Sequence, residues 1–181
     1  AEEMPKLIIK SSDDTVLRYD LRGKVKGLPA PFADPADKTG ATALASIHAV
    51  PGTVYPVECF DYKFESAEYS SANQIGDNEI EEDQKVCFIK FTLKNISKTP
   101  QFFRWDSIRM KLTDTDGVNI DSIVDLFLAS KDRSFASDIA SGSEMTLRLA
   151  FRVPKDADMK TLTVSSNDEG REYVYDISNT K

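Results

Sequence analysis

Ser143-Glu144-Met145-Thr146-Leu147-Arg148-Leu149-Ala150-Phe151-Arg152-Val153-Pro154 is the stretch that decides the fold. Its odd positions, Met145, Leu147, Leu149, Phe151 and Val153, form one apolar row. The even positions, Glu144, Thr146, Arg148, Ala150 and Arg152, form a mostly polar one. Successive side chains of a strand point to opposite faces, so this alternation predicts a strand with one face in a core and one in water. Ser141-Gly142 opens it as a turn, and Pro154, which has no N–H to give a ladder, closes it. A central strand of an antiparallel sheet is the expectation.

Composition bounds what surrounds that strand. The chain has 181 residues, 40% of them hydrophobic and 29% charged, which allows one sizeable core with or without an appendage. A net charge of −7 disfavours nucleic acid and anionic membrane, both of which need basic surface. No apolar run approaches the roughly 20 residues that span a bilayer. The sequence begins Ala1-Glu2-Glu3 without Met, as a mature chain does after leader cleavage, so a secreted or periplasmic/cell-envelope location is expected.

Working outward, residues 85–95 repeat the alternation, with Cys87, Ile89, Phe91 and Leu93 inward. Residues 57–66 do so with Phe60, Tyr62 and Phe64. Between them, residues 70–84 gather Asp77, Glu79, Glu81, Glu82 and Asp83, the pattern of a solvated loop. In 101–113 the apolar phase switches from Phe103 and Trp105 to Ile108, Met110 and Leu112, which requires a bend or bulge near Asp106-Ser107. Residues 120–129 fit a strand or a single helical turn, and 161–164 and 173–177 are short strands. The first fifty residues are less regular. Leu7-Ile8-Ile9 reads as an edge strand, 15–19 and 24–28 as a loose hairpin, and 37–50 as a short helix or a covering loop. Strands at this spacing predict an all-β, immunoglobulin-like antiparallel β-sandwich with an irregular N-terminal extension. Residues 1–50 would pack as that extension on a domain of 51–181.

Four stretches carry a family resemblance: Phe91-Thr92-Leu93-Lys94-Asn95, Met110-Lys111-Leu112-Thr113-Asp114-Thr115-Asp116-Gly117, Ser141-Gly142-Ser143-Glu144, and Phe151-Arg152-Val153-Pro154-Lys155-Asp156-Ala157. Through them, residues 57–178 resemble an exported bacterial immunoglobulin-like domain-of-unknown-function family that includes secreted mycobacterial immunogenic antigens. The resemblance implies export, an Ig-like sandwich and no enzymatic activity.

The search for chemistry yields few candidates. His48 is the single histidine and no Gly-x-Ser-x-Gly elbow accompanies it, so a packing or surface role outweighs catalysis. His48, Cys59 and Cys87 lack paired zinc-ligand spacing. Asp114, Asp116, Asn119 and Asp121 resemble a calcium loop, but the EF-hand pattern fails at Leu112 and Ile123, and a hairpin turn is favoured. No catalytic, cofactor or metal residue is therefore assigned. Cys59 and Cys87 are expected to be reduced with Cys87 buried, a disulfide being the alternative. In Phe102-Phe103-Arg104-Trp105, Phe103 and Trp105 are read as core, leaving Phe102 for a cover or a partner. The favoured function is a non-enzymatic exported module binding a protein or cell-envelope partner through loops or a sheet face. The alternative is a small-ligand or divalent-metal carrier using the acidic loops 77–83 and 114–121.

Overall fold

The computed structural model describes residues 6–10, 16–20, 34–36, 44–131, 133–167 and 171–180. The chain divides into two compact units, residues 1–47 and 48–181. In the first, β1 (Lys6–Lys10) and β2 (Val16–Asp20) form an antiparallel ladder with Lys6 opposite Asp20. Positions 16–20 thus pair backwards, with Lys6–Lys10, and the expected partner 24–28 lies outside the described residues. Of the short helix or covering loop expected over 37–50, residues 37–43 also lie outside them. The later part is a strand, β3 (Ser46–His48), where Ile47 is buried between exposed Ser46 and His48 in the two-residue period of a strand.

The second unit continues with β4 (Val54–Val57), β5 (Phe60–Ser70), β6 (Gln74–Ile75), β7 (Asn78–Glu79) and β8 (Gln84–Asn95). Then come β9 (Gln101–Phe103), β10 (Arg109–Asp114), β11 (Asn119–Ile120), β12 (Ile123–Leu128), β13 (Ser137–Ile139), β14 (Glu144–Pro154), β15 (Met159–Ser165) and β16 (Glu172–Asp176). One sheet runs β12-β14-β8-β5-β4; within this unit the other runs β11-β10-β15-β16. The chain lays down β5 and β8, crosses for β10, returns for β12 and β14, and crosses again for β15 and β16. That is the immunoglobulin order, with these seven strands in the places of A to G. β4 extends one sheet edge and β11 adds a hairpin to β10.

β14 sits where its alternation places it. It pairs with β8 from Glu144 opposite Lys94 to Pro154 opposite Gln84, and carries β12 on its other side. Leu147, Leu149, Phe151 and Val153 are buried, as are Leu112, Leu162 and Tyr175 of the second sheet. Aromatic rings pack within and between the layers: Tyr62 stacks on Phe91 of the neighbouring strand at 5.3 Å, and Tyr175 of the second sheet lies 4.9 Å from Phe64 of the first. Each such side chain removed from water contributes about 1.5–3 kcal/mol.

Three readings change. Ala150, on the row read as wet, is fully buried, because the acidic stretch between β5 and β8 is not a free loop. It folds into the β6–β7 hairpin and lays Ile75 and Ile80 over Val86, Phe88, Phe127 and Ala150 on the sheet's outer face. Its acids stay in water while its two isoleucines turn inward. Second, residues 57–66 are not one strand: Glu58, with φ of 54°, turns the chain between β4 and β5. Third, the bend or bulge expected near Asp106-Ser107 is a turn that divides 101–113 into two strands, β9 and β10. Residues 123–128 take the strand alternative as β12.

Candidate functional site

The β8–β10 connection gathers at one end of the sandwich, and Asn95 organises it. Asn95 continues the inward phase of Phe91 and Leu93 and is fully buried, so its amide must be satisfied internally. Its Nδ2 donates to the Thr99 and Ile139 carbonyls at 2.9 and 2.8 Å. Its Oδ1 accepts from the Ser97 N–H and hydroxyl at 2.9 and 2.7 Å. Its backbone pairs with Gly142 and Ser143, which ties the connection to the turn entering β14. β9 then pairs with β13, Phe102 opposite Asp138. Phe103 turns inward, edge-on to Phe60 at 5.2 Å, so its neighbour Phe102 turns outward and is 57% exposed.

After β9 the chain makes a tight turn. The Ser107 N–H donates to the Arg104 carbonyl at 3.0 Å, and the Arg104 N–H donates to Ser107 Oγ at 2.9 Å. Asn167, just past β15, clamps this turn by donating both Nδ2 hydrogens to the Asp106 and Ser107 carbonyls. Its own N–H donates to Glu58 Oε1 at 2.9 Å, so three connections are stitched together. Trp105, the single tryptophan, rides on this turn 48% exposed, beside the Arg104–Asp106 ion pair. It is not core as expected: the strand ends at Phe103, so the alternation that placed Trp105 inward has already stopped. The connections β8–β10 and β15–β16 occupy the end that carries the antigen loops in antibody variable domains. Trp and Arg on a fixed turn are the residue types that concentrate binding energy, with little ordering cost.

The opposite end holds a cleft of about 330 Å³ lined by Asp83, Gln84, Asn119, Asp121, Ser122 and Arg152. The strand register brings them together. Gln84 pairs with Pro154 on the neighbouring strand, and the Arg152 N–H donates to the Ser122 carbonyl at 2.8 Å. The Arg152 Nη2 reaches the Glu79 carbonyl at 3.1 Å, while its Nε and the Gln84 Oε1 are buried without a hydrogen-bond partner among the described residues. The ends of the two acidic loops, Asp83 and Asp121, therefore meet in one place, whereas Asp77 does not join them.

Other singled-out residues have structural uses. Asp114 Oδ1 accepts the N–H groups of Asp116 and Val118 at 3.0 and 2.8 Å, and Gly117 takes φ of 84°, which is the hairpin-turn reading. Among the described residues no three His, Cys, Asp or Glu side chains group as a metal site. His48 is exposed on β3. Cys59 and Cys87 are both free. Cys59 sits in the β4–β5 turn, where its carbonyl accepts from the Ile96 N–H, and Cys87 pairs with Tyr69 far down β8. At about 3.4 Å per residue, positions 87 and 95 alone are roughly 27 Å apart, far beyond the about 7 Å a disulfide spans. Burial pushes the Cys87 thiol up to about 12. Sequence reasoning missed Asn95, Asn167 and Arg152. The signal for Asn95 was present: a polar residue in phase with the core.

A family model described as a domain of unknown function, DUF4352, matches residues 55–174. An uncharacterised β-sandwich protein from Clostridium difficile 630 is 17% identical over 71% of this chain and 91% of its own, with a TM-score of 0.52. The yjhA protein from Bacillus subtilis is 14% identical over 72% of this chain and 99% of its own, with a TM-score of 0.50. At these identities the likeness shows the sandwich fold alone. No curated protein matches the chain.

Proposed function

The chain belongs to the DUF4352 family of domains of unknown function, and from that premise we propose that it is a non-enzymatic, exported immunoglobulin-like module. It engages a protein partner of the cell envelope through the loop end that carries Trp105 and Phe102. The observation that carries this reading is the clamped turn at 104–107, which holds a half-exposed Trp105 beside Arg104 while Asn167 fixes its backbone. A large aromatic left in water by a turn with this many hydrogen bonds offers binding area without a matching loss of conformational freedom. Export rests on the resemblance to exported Ig-like domains. The non-enzymatic reading is supported by the structural use of the polar groups Asn95, Asp114 and Asn167.

Two measurements test it. Fractionation of cells producing the full-length protein should recover it outside the cytoplasm; cytoplasmic recovery would remove the export reading. Binding of the purified chain to cell-envelope preparations should weaken at least roughly tenfold in Trp105→Ala, a change of about 1.4 kcal/mol or more. The variant's melting temperature should match that of the unaltered chain. Undiminished binding would remove Trp105 from the interface.

A further inference from the structure

We propose that the cleft between the β11–β12 corner and the β8 and β14 strand ends binds a small basic amino acid, a molecule with one carboxylate and two amines. The inference is independent of the loop-end reading, since it concerns the other end of the sandwich. Its first ground is size. About 330 Å³ lies in the range of small-molecule sites, roughly 300–1,000 Å³.

Its second ground is the pattern of groups. Two carboxylates, those of Asp83 and Asp121, line the cleft with the Gln84 amide, while the Asn119 amide oxygen and the Pro154 carbonyl are held by the Thr113 hydroxyl and the Ala157 N–H. Against them stands one fixed cation, Arg152, anchored through Nη2 to the Glu79 carbonyl. Two carboxylates and one guanidinium are the charge complement of two ammonium groups and one carboxylate. Guanidinium–carboxylate pairing fixes the orientation of the ligand, and the amines fall to the aspartates. Ile120, which also lines the cleft, offers apolar surface to the methylenes between them.

Its third ground is unmet hydrogen bonding. Arg152 Nε is a buried donor and Gln84 Oε1 a buried acceptor, neither with a partner among the described residues. An unpaired buried polar atom is costly, and a turn of either side chain toward the cleft would let a ligand supply the missing partner. A purely anionic ligand would satisfy Arg152 alone and meet two like charges; a divalent cation would satisfy the aspartates and be repelled by Arg152.

The test is isothermal titration of the full chain with L-lysine, norleucine, cadaverine and calcium chloride. Lysine should bind, with norleucine, which lacks the second amine, and cadaverine, which lacks the carboxylate, at least roughly tenfold weaker. Arg152→Gln should erase the preference for lysine over cadaverine. Asp121→Asn, at an exposed position that leaves folding intact, should erase the preference for lysine over norleucine. No heat with lysine, equal binding of cadaverine, or binding of calcium in place of lysine would each overturn the proposal.

Discussion

Asn95→Asp changes one buried NH₂ group into an oxygen, and its consequences can be worked through atom by atom. The acceptor side is preserved, since Asp can still take the Ser97 N–H and hydroxyl. The donor side is lost. The Thr99 carbonyl loses its 2.9 Å bond and competes with the carboxylate for the one Ser97 hydroxyl hydrogen, and the Ile139 carbonyl loses the 2.8 Å bond it receives from Asn95. One orphaned buried carbonyl costs about 1–3 kcal/mol. A carboxylate without a counter-charge, pressed against two carbonyl oxygens, brings the total to about 3–5 kcal/mol at neutral pH. That is a large share of the roughly 5–15 kcal/mol that holds a domain folded. The sign of the pH dependence follows. Burial and the facing carbonyls raise the folded-state pKa of the new carboxyl above its unfolded value near 3.9. The deficit is therefore smallest below about pH 4 and grows as pH rises through the folded-state pKa. Urea denaturation followed by circular dichroism at pH 4 and pH 7 reads both effects. A deficit under about 1 kcal/mol at pH 7, or one that does not shrink in acid, refutes the role given to Asn95.

Other positions give separate tests. Ala150→Asp, on the nominally wet row but sealed under Ile75 and Ile80, should destabilise by more than about 3 kcal/mol, comparable to Leu149→Asp; a mild effect in denaturation would mean that the hairpin does not cover the sheet. Ellman's reagent should modify Cys59 in the native chain and reach Cys87 only in denaturant, since burial raises both thiols and Cys87 the more; two fast native thiols would contradict the packing of β8. Tyr62→Phe should be neutral or stabilising by up to about 1 kcal/mol, because the hydroxyl is buried without a hydrogen-bond partner among the described residues. Burial holds the Tyr62 pKa well above its ordinary value, so stability present below about pH 10 is lost above it, and Tyr62→Phe should lessen that alkaline loss in pH-dependent melting.

What the sequence disclosed and what it hid divide along the range of the interactions. β14 and β8 were legible because alternation is a local consequence of strand geometry, and together they imply a two-layered sheet fold. Ala150 was not legible, because its cover comes from Ile75 and Ile80, roughly seventy residues away, in a stretch whose charge count hid two apolar anchors. Trp105 was misplaced because alternation holds only while the strand lasts, and the Arg104–Ser107 turn that ends it depends on Asn167, far along the chain. The cleft was half legible: both acidic loops stood out, but their convergence with Arg152 follows from β8–β14 register and the Ser122 contact, which no local pattern encodes.

The most direct test of the loop-end account is site-specific photo-crosslinking on the full chain. A photoreactive phenylalanine is placed at Trp105, and separately at Val118, which is 57% exposed on the β10–β11 turn at the opposite end. Each protein is irradiated with cell-envelope preparations, with and without excess unlabelled chain. The account predicts a discrete adduct from position 105 that the unaltered chain competes away and the Trp105→Ala chain does not, with none from position 118. No adduct at 105, or the same adduct from both ends, would contradict it.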